Sequence, residues 1–322
     1  MSENDNIPAQ HTAKGKIMAN QWDPQIVIPQ EVALNLIQHQ FPHLQANYIQ
    51  LFGNGWDNTA YLINDLYIFR FPRREVAVQL LQHEIAALPI ISKNIDVPVP
   101  QPTWIGKPTQ DYPWPFVGYR MLPGIPAERA DLTDEQRINL AQPLAQFLKK
   151  LHAISIDHFP SLPHEIVFQR LGLDYIIPTM RKNMERIDQF DLLEYKNTLT
   201  KIIEQAHNLR SPENNTLIHG DLYIRHILIN PSYELAGIID WGDVQIGDAA
   251  MDLAVAHSFL PPQAHEIFKH TYGYISDQTW QLARLRAVHV MFHVILYAHD
   301  IGDEQLVKEA QKSLRYIVEH IN

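Results

Sequence analysis

The stretch from Thr216 to Asp252, TLIHGDLYIRHILINPSYELAGIIDWGDVQIGDAAMD, constrains this chain more than any other. It holds three short apolar runs, Leu217-Ile218, Ile227-Leu228-Ile229 and Ala236 to Ile239, with a turn at Asn230-Pro231-Ser232 between the second and third. Runs this short, rich in β-branched residues and bounded by Gly, Pro, Asn and Asp, read as buried strands. Polar residues stand just past their ends: His219-Gly220-Asp221 after the first, Asp240 after the third. Two carboxylates at the mouths of adjacent strands suit phosphoryl transfer, in which one positions a hydroxyl nucleophile and the other holds magnesium on a nucleotide phosphate. Asp221 and Asp240 lie 19 residues apart, a plausible hairpin length, and His226 follows Asp221 by five residues, within reach of the same site. The plainer alternatives are a turn-capping Asp221 and a core His226.

Composition removes several other classes of function. The 322 residues fit one large domain or two modest ones, and 46% are apolar, enough for a sizeable core. A formal net charge of -10 argues against nucleic acid as the partner and favours a cationic or neutral substrate. Cysteine is absent, which excludes disulfides, thiolate catalysis and Cys-ligated zinc. No apolar run reaches the roughly 18 residues that a spanning helix needs, so no membrane partner is expected. Residues 1–24 are polar and lack a signal core; they read as a disordered leader, and a cytoplasmic location follows.

The remaining chain divides into a sheet-rich part and a helical part. A helix opens at Pro29-Gln30-Glu31, and an alternating strand follows over 47–52. The loop Gly53-Asn54-Gly55-Trp56-Asp57-Asn58 leads into a second strand, Thr59 to Ile63, and Asn64-Asp65 turns into a third, Leu66 to Phe71. Strand, glycine loop and strand can fold over phosphates with backbone N–H groups, although two glycines before a hairpin are more often just a turn. Arg70, near the end of the third strand, is either an ordinary edge residue or a cation that reaches nucleotide phosphates, and Glu84 on the next helix (75–91) is either solvated or the partner that orients Arg70 through a bidentate pair. Two more strands, Thr103 to Gly106 and Phe116 to Met121, precede the break Leu122-Pro123-Gly124. A nucleotide base would lie at this hinge, on backbone near Tyr119 to Leu122. Thr133 and Gln136 form an approximate capping box for one helix running to His152, and further helices are expected near 171–187, 191–207, 248–257, 263–273, 277–299 and 304–320. The reading is an α+β, bilobal chain: a nucleotide-binding lobe over 25–122 and a helical lobe over 123–322 with one embedded strand pair.

With these pieces in place, the chain resembles the aminoglycoside phosphotransferase family, small-molecule kinases of protein-kinase-like fold. The resemblance is carried by Gly53 to Asn58, Phe69-Arg70-Phe71-Pro72-Arg73-Arg74, Glu84, His219-Gly220-Asp221-Leu222, Ile239-Asp240-Trp241 and Asp248 to Leu253, in family order. It implies that Asp221 is the catalytic carboxylate and that Asp240 binds Mg²⁺. It also implies that Gly53, Gly55, Asn58, Arg70, Glu84, Tyr119 and Met121 hold ATP or GTP, and that Asp252 braces the catalytic loop. His226 stands where the family usually carries a metal-binding Asn, as in the macrolide phosphotransferase branch; Mg²⁺ prefers oxygen, so contact through water or phosphate is the expectation. Arg70 stands where the family usually has Lys.

The acceptor should be small, because Asp240 is followed within about a dozen residues by the helix carrying Asp252, which leaves no room for the long activation segment on which peptide substrates dock. An aminoglycoside or macrolide antibiotic, or a sugar or amino alcohol, fits. Acceptor-lining candidates are Tyr175, Asp243, His257, Tyr297 and Asp300. His289 and His293, spaced i, i+4, read as core rather than zinc ligands, and Arg284 and Arg286 as a solvated face. The rivals are a nucleotide-binding pseudokinase and a phosphohydrolase with Asp221 as nucleophile. The second would want another carboxylate two residues on, where Tyr223 stands.

Overall fold

In the computed structural model, residues 24–55, 57–164, 171–210, 212–213 and 215–319 are described; the expected leader, apart from its last residue, and Trp56 lie outside them. The amphipathic α1 (Gln30–Gln40) packs Ala33, Leu36 and Ile37 against a sheet whose first strands are β1 (Ile49–Asn54), β2 (Asn58–Ile63) and β3 (Tyr67–Pro72). Asn64 and Asp65 both take left-handed φ, 50° and 55°, which makes the tight β2–β3 turn. β1 begins two residues later than the alternation suggests. The Asn47 and Tyr48 amides bond to the Asn64 side chain instead of the ladder, and a bulge between Leu51 and Gly53 carries the strand into the glycine loop. α2 (Glu75–Ile91), β4 (Trp104–Gly106) and β5 (Phe116–Arg120) complete an antiparallel sheet of order β1-β2-β3-β5-β4. Phe69, Phe71 and Phe116 fill its core, with Phe71 stacked on Phe116 at 4.5 Å.

Past the Pro123-Gly124 break, β6 (Ile125–Pro126) leads to α3 (Asp134–Asn139) and α4 (Ala141–His152). The capping box at Thr133 forms in both directions. The single helix expected over 132–152 is two, because Pro143 has no N–H and its ring meets the carbonyl of the residue four back, Asn139. α5 (Leu173–Gln189) and α6 (Lys196–Gln205) follow. α6 starts later than expected, since Asp191 and Tyr195 take left-handed φ and turn the chain between the two helices.

The central stretch contains more strand than its apolar runs indicate: β7 (Thr216–Ile218), β8 (Ile227–Ile229), β9 (Leu235–Ile238) and β10 (Gln245–Gly247). β8 pairs with β9 and β6 in one ribbon, whereas β7 pairs with β10 in another. The expected single pair is therefore two ribbons, and Asp221 and Asp240 do not follow neighbouring strands of one hairpin. α7 (Ala250–Phe259), α8 (His265–Tyr272), α9 (Asp277–Ile301) and α10 (Glu304–Glu319) complete the chain. α10 buries Leu306, Leu314 and Ile317 against Phe292 and Ile295 of α9. It also reaches back to the first residues of the helical part: Arg137 pairs with Glu309, Lys312 Nζ bonds Leu132 O at 3.1 Å, and Arg129 pairs with Asp303 just before the helix.

Four polar side chains depart from expectation. Arg284 is not solvated: its Nε and Nη2 donate to Ile317 O, the last turn of α10, at 3.0 and 2.7 Å. Arg286 is buried and lies 3.1 Å from His289 Nδ1. His257, named as an acceptor candidate, is fully buried between His265 and Trp280 and belongs to the core. His289 is core as expected, whereas His293, expected in the core beside it, is exposed and lies 3.2 Å from it.

Candidate active site

Two ribbons meet in the site, and His219 braces them. The buried ring accepts from Asp221 N at Nδ1 (3.3 Å) and donates from Nε2 to Ile239 O (3.0 Å). It therefore ties the end of β7 to the end of β9 as the neutral tautomer, and burial lowers its pKa accordingly. Trp241, fully buried, packs on that ring at 4.6 Å. Gly220 is required here: φ is +85°, and an added Cβ would sit 2.3 Å from Asp243 O. Asp252, fully buried on α7, accepts from His219 N at 2.7 Å, Gly220 N at 2.9 Å and His152 Nε2 at 3.2 Å. The backbone just before Asp221 is thereby clamped by one carboxylate, held below its ordinary pKa because His152, His219 and these amides outweigh the cost of burial.

His226 joins the two carboxylates singled out from sequence. Nδ1 donates to Asp221 O at 2.7 Å and lies 3.8 Å from Asp221 Oδ2; Nε2 lies 3.3 Å from Asp240 Oδ2. Both ring nitrogens face acceptors, so the ring is an imidazolium. Burial would lower its pKa, but the bond to Asp240 and the charges of Asp240 and Asp221 push it up to about 9. Asp240 is held well below the carboxylate range, since Arg70 and His226 outweigh its partial desolvation. Its φ of 63° is left-handed, a conformation that costs an Asp roughly 1–3 kcal/mol and turns the chain sharply out of β9.

From the sheet side, Arg70 Nη1 pairs with both oxygens of Glu84 at 3.2 Å, and Nη2 reaches Asp240 Oδ1 at 2.9 Å. Glu84 is 1% exposed, so its partner is essential to it; burial pushes its pKa up against the pull of Arg70. Tyr119 is buried beside this pair, and burial together with the Glu84 charge pushes its hydroxyl far up. Met121 is exposed at the end of β5, its N–H already committed to Leu66 O at 2.8 Å.

The glycine loop is braced by two arginines that no spacing argument assigned. Arg73 Nη1 bonds Gly55 O at 2.7 Å, and Arg74 pairs with Asp57. Neither glycine is demanded by the fold: a Cβ on Gly53 meets open space, and one on Gly55 meets only Asn58 O at 3.6 Å. The Asn58 Oδ1 atom is buried with no hydrogen-bond partner among the described residues. Arg225, also missed, sits inside the 221–226 loop and bonds Glu128 at 3.1 Å with its guanidinium over Tyr297 at 5.7 Å. Of the acceptor candidates, Tyr175 and Asp300 are exposed and Asp243 and Tyr297 are half-buried.

Residues 49–287 match the phosphotransferase enzyme family, and the chain belongs to it. Solved structures of aminoglycoside and macrolide phosphotransferases share its protein-kinase-like bilobal fold. The GDP complex of wild-type aminoglycoside 2'-phosphotransferase-IIIa superposes with TM-score 0.65 at 27% identity, covering 90% of this chain and 99% of that one. The GDP and kanamycin complex of APH(2")-IIIa gives 0.63 at 26%, over 89% and 98%. Macrolide 2'-phosphotransferase MphH from Brachybacterium faecium, as apoenzyme, shares the fold with TM-score 0.57 at 20% identity, over 88% and 98%. In sequence, the uncharacterized protein YcbJ of Bacillus subtilis (strain 168) is 25% identical over 230 residues, 66% of this chain and 70% of that protein. Among the described residues, no helix is long and apolar enough to cross a membrane.

Proposed function

We propose that this protein moves the γ-phosphate of ATP or GTP to a hydroxyl of a small molecule. The observation that carries the reading is the convergence on His226 and Arg70. Asp221 and Asp240 meet on the one, Glu84 and Asp240 on the other, so a hydroxyl-orienting carboxylate, a metal-ready carboxylate and a phosphate-binding cation share one cleft. Asp221 orients the attacking hydroxyl and takes its hydrogen bond, and the Asp252 clamp fixes the backbone from which it works. Arg70 and the amides around Gly53 and Gly55 hold the phosphates, with Asn58 at the loop's base. The base lies against the end of β5, at Tyr119 and Met121. The nucleotide half spans 25–122 and the catalytic half 123–322.

Among the described residues, no group of three or more His, Cys, Asp or Glu forms a metal cage. That fits Mg²⁺, which uses one or two carboxylates and completes its octahedron with phosphate oxygens and water. Asp240 would hold it, with His226 acting through water. When bound, the ion neutralises charge on the phosphates.

A small acceptor is supported by the run from Asp240 to α7. It is spent on one turn, Trp241–Asp243, and on β10, which is paired with β7, so no free segment remains for peptide docking. The acceptor is an aminoglycoside or macrolide antibiotic, or a related sugar or amino alcohol. The kanamycin-bound relative and the formal charge of -10 favour a polycation. A triphosphate donor sets the protein in the cytoplasm. The test is nucleoside diphosphate release from ATP and GTP across a panel of such acceptors. Asp221→Asn is expected to abolish transfer while nucleotide binding persists. Unchanged turnover in that variant defeats the mechanism, and nucleotide binding without transfer to any acceptor favours a non-catalytic binder.

A further inference from the structure

Both oxygens of Asp240 are occupied by nitrogen groups of the protein itself. Oδ1 takes Arg70 Nη2 at 2.9 Å, and Oδ2 takes His226 Nε2 at 3.3 Å. The carboxylate is otherwise open, with its side chain 47% exposed. A free divalent ion approaching it therefore meets the Arg70 guanidinium and the His226 ring before it meets a vacant oxygen. The two groups are held differently. His226 is buried and fixed at its other nitrogen by Asp221 O. Arg70 is anchored to buried Glu84 through Nη1 alone, which leaves Nη2 free to change partner without breaking that pair.

We infer that Arg70 is a latch on the metal site: it closes Asp240 to free divalent cations and releases it when phosphates of a bound nucleotide take the guanidinium, so that metal is admitted only with nucleotide. A lysine has one nitrogen where arginine has two, and cannot hold Glu84 and Asp240 through separate atoms. The latch also spans the sheet and the helical part, joining β3 to the turn after β9. Phosphate has the geometry to displace it, because a guanidinium binds phosphate oxygens at least as well as one carboxylate oxygen. The inference rests on Asp240 being the metal ligand.

The test is titration of the full chain with Mn²⁺, followed by electron paramagnetic resonance, without nucleotide and with ADP or GDP. Without nucleotide, Arg70→Met combined with Glu84→Gln, which removes the latch and leaves no buried charge, is expected to bind one Mn²⁺ about tenfold more tightly than the unaltered protein. Adding Asp240→Asn should abolish that gain. Arg70→Lys, which keeps the Glu84 pair and is less disruptive to folding, should move in the same direction by a smaller factor. Equal Mn²⁺ affinity in the unaltered protein and both latch variants overturns the latch while leaving Asp240 as ligand. Mn²⁺ binding that survives Asp240→Asn, or that fails in every protein even with nucleotide, overturns the metal role of Asp240 and the latch with it.

Discussion

Asp252→Asn tests how the site is held. Asp252 accepts two backbone amides and His152 with no solvent in reach. In the variant one oxygen becomes an NH₂ group. Whichever way the amide turns, one of the His219 and Gly220 N–H groups then faces a donor. His152 can adapt by changing tautomer, since its Nδ1 partner, the Tyr272 hydroxyl, both donates and accepts. The minimum loss is thus one charge-assisted bond, about 1.5–3 kcal/mol, plus one buried amide left unpaired, about 1–3 kcal/mol. A total of about 3 kcal/mol lowers the melting temperature by about 6–9 °C at roughly 2–3 °C per kcal/mol for a chain of this size. Circular dichroism melts at neutral pH measure it. The pH dependence has a definite sign. The folded pKa of Asp252 is depressed, so its contribution is full above its unfolded value of about 3.9 and fades as pH falls through the folded pKa. The gap between parent and variant should therefore narrow only below about pH 4. A variant melting within about 2 °C of the parent at pH 7 refutes the clamp as a stabilising element.

Three further outcomes follow from the geometry. Gly220→Ala, strained by its φ and its contact with Asp243 O, should lose roughly 2–4 kcal/mol in urea unfolding and nearly all transfer activity. Arg73→Ala frees the Gly55 carbonyl and should raise the KM for nucleotide several-fold while leaving the KM for the acceptor unchanged, read from steady-state kinetics. Thr133→Ala removes one half of the capping box and should cost about 1 kcal/mol by chemical denaturation, with turnover intact.

Local chemistry was legible where a residue's neighbours in sequence are its neighbours in space. The Thr133 capping box and the Asn64-Asp65 turn needed only short-range pattern, and both form as read. Arg70 pairs with Glu84, one of the two readings its sequence allowed, and Asp221, His226 and Asp240 come together although the two carboxylates do not follow neighbouring strands of one hairpin. The partner of β7 was not legible. Gln245-Ile246-Gly247 is too short to stand out, and its pairing depends on the β8–β9 hairpin lying between the two strands. Arg284 and Arg286 misled because charge on a helix usually marks a wet face. Here α10 covers that face and its own terminal carbonyl supplies the acceptor for Arg284. The break before Pro143 was readable from proline chemistry alone and was outweighed by the apolar periodicity around it.

The reach of α10 back to Leu132 and Arg137 bears on how the chain is made. These contacts link residues 172 to 180 positions apart, and they cover Arg137, a charge with no exposure at all. During synthesis the sheet can close as soon as β5 emerges, whereas α3 must wait, its arginine uncompensated, until Glu309 leaves the ribosome. The helical part is thus closed by α10, and a chain stopped before Glu304 would present both the Arg137 guanidinium without its carboxylate and the apolar seam of α9. Such a fragment is a natural client for chaperones and proteases, which makes α10 a checkpoint on whether the helical part is ever finished.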